Sequence, residues 1–131
     1  MVSVGNMRAF QLADVGTNQV GTEVDFPPGW HTYRLKVRFA NVAASTGNVV
    51  LRSRLWQFGP GDAVNGSSIA GPNTTIAAAG QYICVEATVN EDCAVDPDGP
   101  NLIAVMRLGS DAADTLPNAI GLMSLMLERT S

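Results

Sequence analysis

Apolar and polar residues alternate along this chain in short runs broken by glycine, proline and asparagine. The clearest run is HTYRLKVRFA, where Tyr33, Leu35, Val37 and Phe39 interleave with Thr32, Arg34, Lys36 and Arg38. A period of two held from Thr32 to Phe39 predicts a β-strand with one buried face and one wet face. NVVLRSRLWQF, Asn48 to Phe58, repeats the pattern. Val49, Leu51 and Leu55 share one side, and Arg52, Arg54 and Trp56 share the other. Between the runs lies ASTGNV, a Gly-Asn turn signal, so the pair reads as a hairpin.

Similar logic places the other elements. RAFQL (Arg8–Leu12) and TEVDF (Thr22–Phe26) read as strands, the second ended by paired prolines that cannot continue a ladder. Gly59 to Pro72 reads as a loop, and Thr74 to Ala79 as a short strand. In GQYICVEATV, Tyr82, Cys84, Glu86 and Thr88 oppose Ile83, Val85, Ala87 and Val89. NEDCAVDPDGPN reads as an acidic turn region, and LIAVMRL (Leu102–Leu108) as a central strand. Asn118–Arg129 reads as a final strand, because a helix there would carry Gly121 inside it and lack a strong cap. About eight short strands separated by turn signals predict an all-β sandwich or barrel, in one domain over residues 1–131.

Composition agrees. A chain of 131 residues hides roughly two-thirds of its unfolded surface. Thirteen glycines and seven prolines favour many short strands over a few long helices. The net charge of −4 argues against a nucleic-acid partner held by the whole surface. The N-terminus has no charged leader with an apolar core, so no signal peptide is expected. The longest apolar stretch, Ala119 to Leu127, is too short for a bilayer, and no membrane partner is expected. The expectation is a soluble protein made in a cytoplasm. Cys84 and Cys93 could pair, but free thiols suit a reducing compartment better, with Cys84 as a small core residue.

Two stretches resemble a known family. Val24 to Asp62 runs from a Phe-Pro strand end through an alternating strand and a Thr-Gly-Asn-Val turn to a strand ending before Gly-Asp. RLGSDAADTLPNAIGLMSLMLER carries an Arg-x-Gly-x-Asp strand end, an Asp-Thr-Leu turn and a final apolar strand. Together they resemble the β-sandwich domains of tailed-bacteriophage virions found in head-decoration (cement) proteins and fibre-associated proteins. The resemblance implies an antiparallel β-sandwich of jelly-roll type. It further implies a non-enzymatic virion protein, with a capsid decoration protein as the leading reading. Its partners would be the major capsid protein of the head and other copies of itself, as a homotrimer. Its place would be the outer surface of the capsid, after synthesis in a bacterial cytoplasm. The alternative is a fibre- or tail-associated module contacting a host glycan, with Trp30 and Trp56 as the sugar platform.

Candidate chemistry is sparse. His31 is the only histidine, beside Trp30 at a strand start, and no Gly-x-Ser-x-Gly elbow is present, so no catalytic residues are assigned. No Gly-rich phosphate loop opens a helix, and no cofactor is expected. Asp111 and Asp114 flank Ala-Ala, close enough in sequence for Arg107 to pair with one of them. They read as turn formers rather than metal ligands, since calcium wants six or more oxygens. Glu91, Asp92, Asp96 and Asp98 lack the Asp/Asn ladder of a calcium loop and read as a solvated loop. Arg34, Lys36, Arg38, Arg52 and Arg54 are five of the eight cationic residues. If their strands pair, they share one face, either a solvated exterior or a charged contact surface.

Overall fold

The computed structural model describes residues 1–5, 7–57, 61, 63 and 68–131. Phe58 and Gly59, expected to end one strand and begin a loop, and Asp62, the end of the first family-like stretch, lie outside the described residues. The strands are β1 (Val2–Val4), β2 (Met7–Leu12), β3 (Thr17–Val24), β4 (Thr32–Asn41), β5 (Asn48–Gln57), β6 (Ile69–Ala70), β7 (Thr74–Ala77), β8 (Cys84–Ala94), β9 (Asn101–Leu108) and β10 (Ile120–Arg129).

They form two antiparallel sheets. The first runs β1-β2-β10-β4-β8. The second runs β3-β9-β5-β6, with β7 also paired to β5. Apart from the short β1 and β6, eight strands remain, four to a sheet. Most successive strands cross from one sheet to the other, which is the winding of a jelly roll. The sandwich expected from the alternating runs is therefore present, with two more strands than the eight anticipated.

Alternation decides what lies between the sheets. Tyr33, Leu35, Val37 and Phe39 of β4 point inward and are fully buried, as are Val49 and Leu51 of β5. They meet Ile103 and Val105 of β9 and Ile120 and Leu122 of β10 in one core cluster. Each fully buried side chain of this size contributes about 1.5–3 kcal/mol. A satellite cluster of Val4, Ala9 and Ala40 lies apart from it. It depends on Gly121, where a Cβ would come within 2.5 Å of Val4 Cγ2.

Several expectations are corrected. β4 and β5 are not a hairpin: β4 pairs β10 and β8, while β5 pairs β9, β6 and β7. Their connection is an arch between sheets. Asn41 holds it, donating through Nδ2 to Ser45 O at 2.9 Å and accepting from Ala43 N at 3.1 Å. Gly47 closes it with φ of 152°, and a Cβ there would sit 2.7 Å from Leu116 N. Strand β3 begins at Thr17 and stops at Val24, before Asp25 and Phe26. Tyr82 precedes β8 in a left-handed turn with φ of 62°. Glu91 and Asp92 belong to β8 and not to a turn. Cys84 is exposed and Cys93 buried, the reverse of a core role for Cys84. They start and nearly end the same strand, roughly 30 Å apart at ~3.3 Å per residue, so no disulfide joins them.

Candidate functional site

The outer face of the first sheet is an ion-pair lattice. Strand register puts Glu128 opposite Arg34 and Glu86 opposite Arg38. Arg34 Nε donates to Glu91 Oε2 at 2.5 Å, and its Nη1 donates to Glu128 Oε1 at 2.7 Å. Lys36 Nζ lies 2.9 Å from Glu128 Oε2, and Arg38 Nε lies 3.0 Å from Glu86 Oε1. The Lys36 ammonium first, then Arg34, holds the Glu128 carboxyl below its ordinary range. Register shifts in the β4–β8 pairing around Asn90 accompany the outward turn of Glu91 toward Arg34. All three β4 cations are thus neutralised within the molecule.

The outer face of the second sheet differs. Arg52 pairs across the ladder with Met106, Arg54 with Ala104 and Trp56 with Leu102. Ala104 and Met106 are only 3% exposed although they lie on an outer face. The arginine stems on the neighbouring strand shield them, with Arg52 Nη2 3.5 Å from Met106 Sδ. The Arg54 guanidinium sits 5.9 Å from the Trp56 ring centroid, within cation–π range. Among the described residues neither arginine has a carboxylate within 4 Å. The Nε atoms of both are buried, with no hydrogen-bond partner among the described residues. The five cations anticipated as one stripe are therefore split between the two flanks of the sandwich. Three are paired, and two have no carboxylate partner among the described residues.

The aspartate cluster after β9 ties off one end. Arg107, on the inward side of β9, is fully buried. Its Nε and Nη2 donate to Asp114 Oδ2 and Oδ1 at 2.9 and 2.7 Å. Its remaining donors reach the carbonyls of Leu12, Leu116 and Asn118 at 3.3, 3.0 and 2.8 Å. Asp114 Oδ2 also accepts from Val50 N at 3.0 Å. Thr115 and Leu116 donate their backbone N–H groups to Asn48 O, continuing along β5 where β9 has ended. The expected pairing of Arg107 with an aspartate holds at Asp114. Asp111 shapes the turn by accepting from Ala113 N at 2.9 Å. Among the described residues no group of three or more acidic, histidine or cysteine side chains converges as a metal site.

The opposite end is open. A cleft of about 410 Å³ lies there, lined by Asp25, Phe26, Trp30, Asp96 and Asn101 with intervening prolines and glycines. Trp30 packs beside Phe26 and against the core cluster, whereas Trp56 lies on the outer flank. Of the two tryptophans anticipated as a sugar platform, Trp30 lines this cleft and Trp56 stands beside Leu102 on the flank. His31 is exposed beside Trp30. That Asp25 and Asp96 line one cleft escaped sequence reasoning, since two loops far apart in the chain had to be brought together first.

No family model matches the chain, and no curated protein matches it. A solved structure of infectious bursal disease virus, Gt strain, aligns at 14% identity over 98% of this chain and 39% of its own, with a TM-score of 0.17. This chain spans about two-fifths of that protein, and the superposition is too poor to bear on fold or function.

Proposed function

We propose that this chain is a non-enzymatic structural protein of a tailed-phage virion, a decoration protein that docks on the head lattice. The reading rests on the resemblance of Val24–Asp62 and Arg107–Arg129 to virion sandwiches. One structural observation supports it most: on a molecule of net charge −4, Arg52 and Arg54 share a sheet face with Trp56, Arg54 against its ring, and neither has a carboxylate partner among the described residues. Arginine and tryptophan are the residue types that anchor protein interfaces. The β4 cations, already paired, are poorer anchors, because a partner would have to displace their own glutamates.

In this reading the second sheet's outer flank meets an acidic surface of the major capsid protein. A homotrimer multiplies one modest patch, and avidity gains a factor of roughly 10² or more without new contacts. The test adds purified protein to capsids lacking it and measures occupancy at low and high salt. Arg52→Glu with Arg54→Glu should abolish occupancy, while Arg34→Glu with Arg38→Glu should leave most of it. Equal loss in both variants would remove the assignment of the face. No occupancy by the wild-type protein on any phage head would remove the function.

A further inference from the structure

The open-end cleft has a chemistry distinct from the Arg52–Arg54 flank. One wall comes from the β3–β4 connection. There Phe26 and Trp30 stand with ring centroids 5.7 Å apart and planes tilted by 40°, and Pro27 and Pro28 continue the apolar surface. The facing wall is the β8–β9 connection, from Val95 to Asn101.

Both walls are pre-formed. Asn101 Nδ2 donates to Asp96 O and Gly99 O at 3.1 and 3.2 Å, and its Oδ1 accepts from Asp96 N at 3.0 Å. Arg129 Nη2 fixes the other turn by donating to Gly29 O at 2.9 Å. His31 N donates to Ser131 O, and Val95 N to His31 O, both at 2.9 Å, so the chain end laces the two connections together.

This leaves an unusual balance of polar capacity. The Asn101 amide is spent on its own turn. One oxygen of Asp96 accepts from Asp98 N at 3.0 Å, and the other has no partner among the described residues. Asp25 is exposed and has no ion-pair partner among the described residues. The spare carboxylate oxygens at the cleft can only accept, and the Trp30 indole N–H in the same lining can only donate.

A ligand suited to it is rich in donors and has an apolar face to lay on the aromatic wall. A sugar ring has both: adjacent hydroxyls for a carboxylate, and C–H bonds for the negative face of an indole. The volume is that of a small-molecule site. A quaternary ammonium ion is typically held in a cage of several aromatic rings. Here both rings pack on the core and on each other, so they offer a wall and not a cage. We infer that this cleft binds a neutral saccharide, stacked on Trp30 and hydrogen-bonded by Asp25 and Asp96. The inference does not depend on capsid docking, which uses the flank.

The test follows Trp30 fluorescence in a Trp56→Phe background, where it is the only tryptophan left. Glucose, galactose and N-acetylglucosamine, with their β-linked oligomers, are titrated to roughly ten times a millimolar dissociation constant. The expected result is saturable quenching by one of these series. Asp25→Asn, on an exposed side chain that leaves the fold intact, should weaken it tenfold or more, and Asp25→Asn with Asp96→Asn further still. Raising the salt should change the affinity less than twofold. No saturation by any of these sugars overturns the inference. So does binding that Asp25→Asn leaves unchanged, or salt-sensitive binding of tetramethylammonium in place of sugar. Sugar binding by a protein that ignores capsids would retain the cleft and transfer the function to the fibre-associated alternative.

Discussion

Arg107 and Asp114 form a two-pronged ion pair with both side chains fully buried, at 2.9 and 2.7 Å. Removing one member of such a pair leaves an uncompensated charge inside the protein, which costs about 3–5 kcal/mol. Asp114→Ala should therefore lower the thermal midpoint by on the order of 10 °C. Replacing a buried ion pair by apolar residues is often harmless elsewhere. Here Arg107→Met with Asp114→Leu should remain destabilising, because Val50 N–H and the carbonyls of Leu12, Leu116 and Asn118 lose partners as well. Denaturant melts of the single and double variants check this. A double variant as stable as wild type would show that those backbone groups find other partners.

Calcium should not change stability. Both Asp114 oxygens are engaged by Arg107 and Val50, and Asp111 and Asp96 each spend an oxygen on a local turn. A ligand at about 100 times its dissociation constant would add roughly 2.7 kcal/mol. Melts with excess calcium and with a chelator should coincide, and a separation of that size would show a site that the aspartates do share.

The two thiols should behave differently. Cys84 is exposed, while burial pushes the Cys93 thiol up to about 11. At mildly alkaline pH a thiol reagent should modify one cysteine in the folded protein and both in denaturant. Because the folded value is raised, the Cys93 contribution is intact below the ordinary thiol range of about 8.5 and is lost as pH rises toward about 11. Cys93→Ser should flatten the alkaline limb of a stability–pH curve.

Acid should loosen the first sheet's outer face. Glu128 is held below its ordinary range by Lys36 and then Arg34, so its contribution is present above that range and lost as pH falls through the lowered value. Glu128→Gln should reduce the difference between melting points at about pH 7 and about pH 3. An unchanged difference would mean that the pair is open in solution. Being exposed, it should also weaken in salt.

What the sequence revealed and concealed divides along physical lines. The β4 face was readable because Tyr33 to Phe39 obey a strict period of two, and that period is the signature of one-sided burial. Arg107 with Asp114 was readable because the partners lie close in the chain. The hairpin reading failed because a glycine turn signal does not reveal whether the next strand returns beside its predecessor or crosses to the facing sheet. Gly47 is needed for its approach to Leu116, not for a tight turn. That one misplaced connection merged the two arginine groups into a single stripe. Cys84 was misread from composition, although its alternation with Glu86 and Thr88 already set it on the wet side. The cleft of Asp25, Trp30 and Asp96 exists only once β3–β4 and β8–β9 meet, and no local pattern encodes that meeting.

Strand β10 ends at Arg129, yet it lies between β2 and β4 in the middle of the first sheet. Without it, Leu12 has no Ile120 to face and Phe39 has no Leu122, so β2 and β4 would stand with open edges. Its pairing with β2 joins residues more than a hundred positions apart in the chain, and long-range pairings of this kind are slow to form. A chain cut before Ile120 would not be a shorter version of this protein. It would lack the strand that joins the two halves of its first sheet, and would be a substrate for proteases and chaperones.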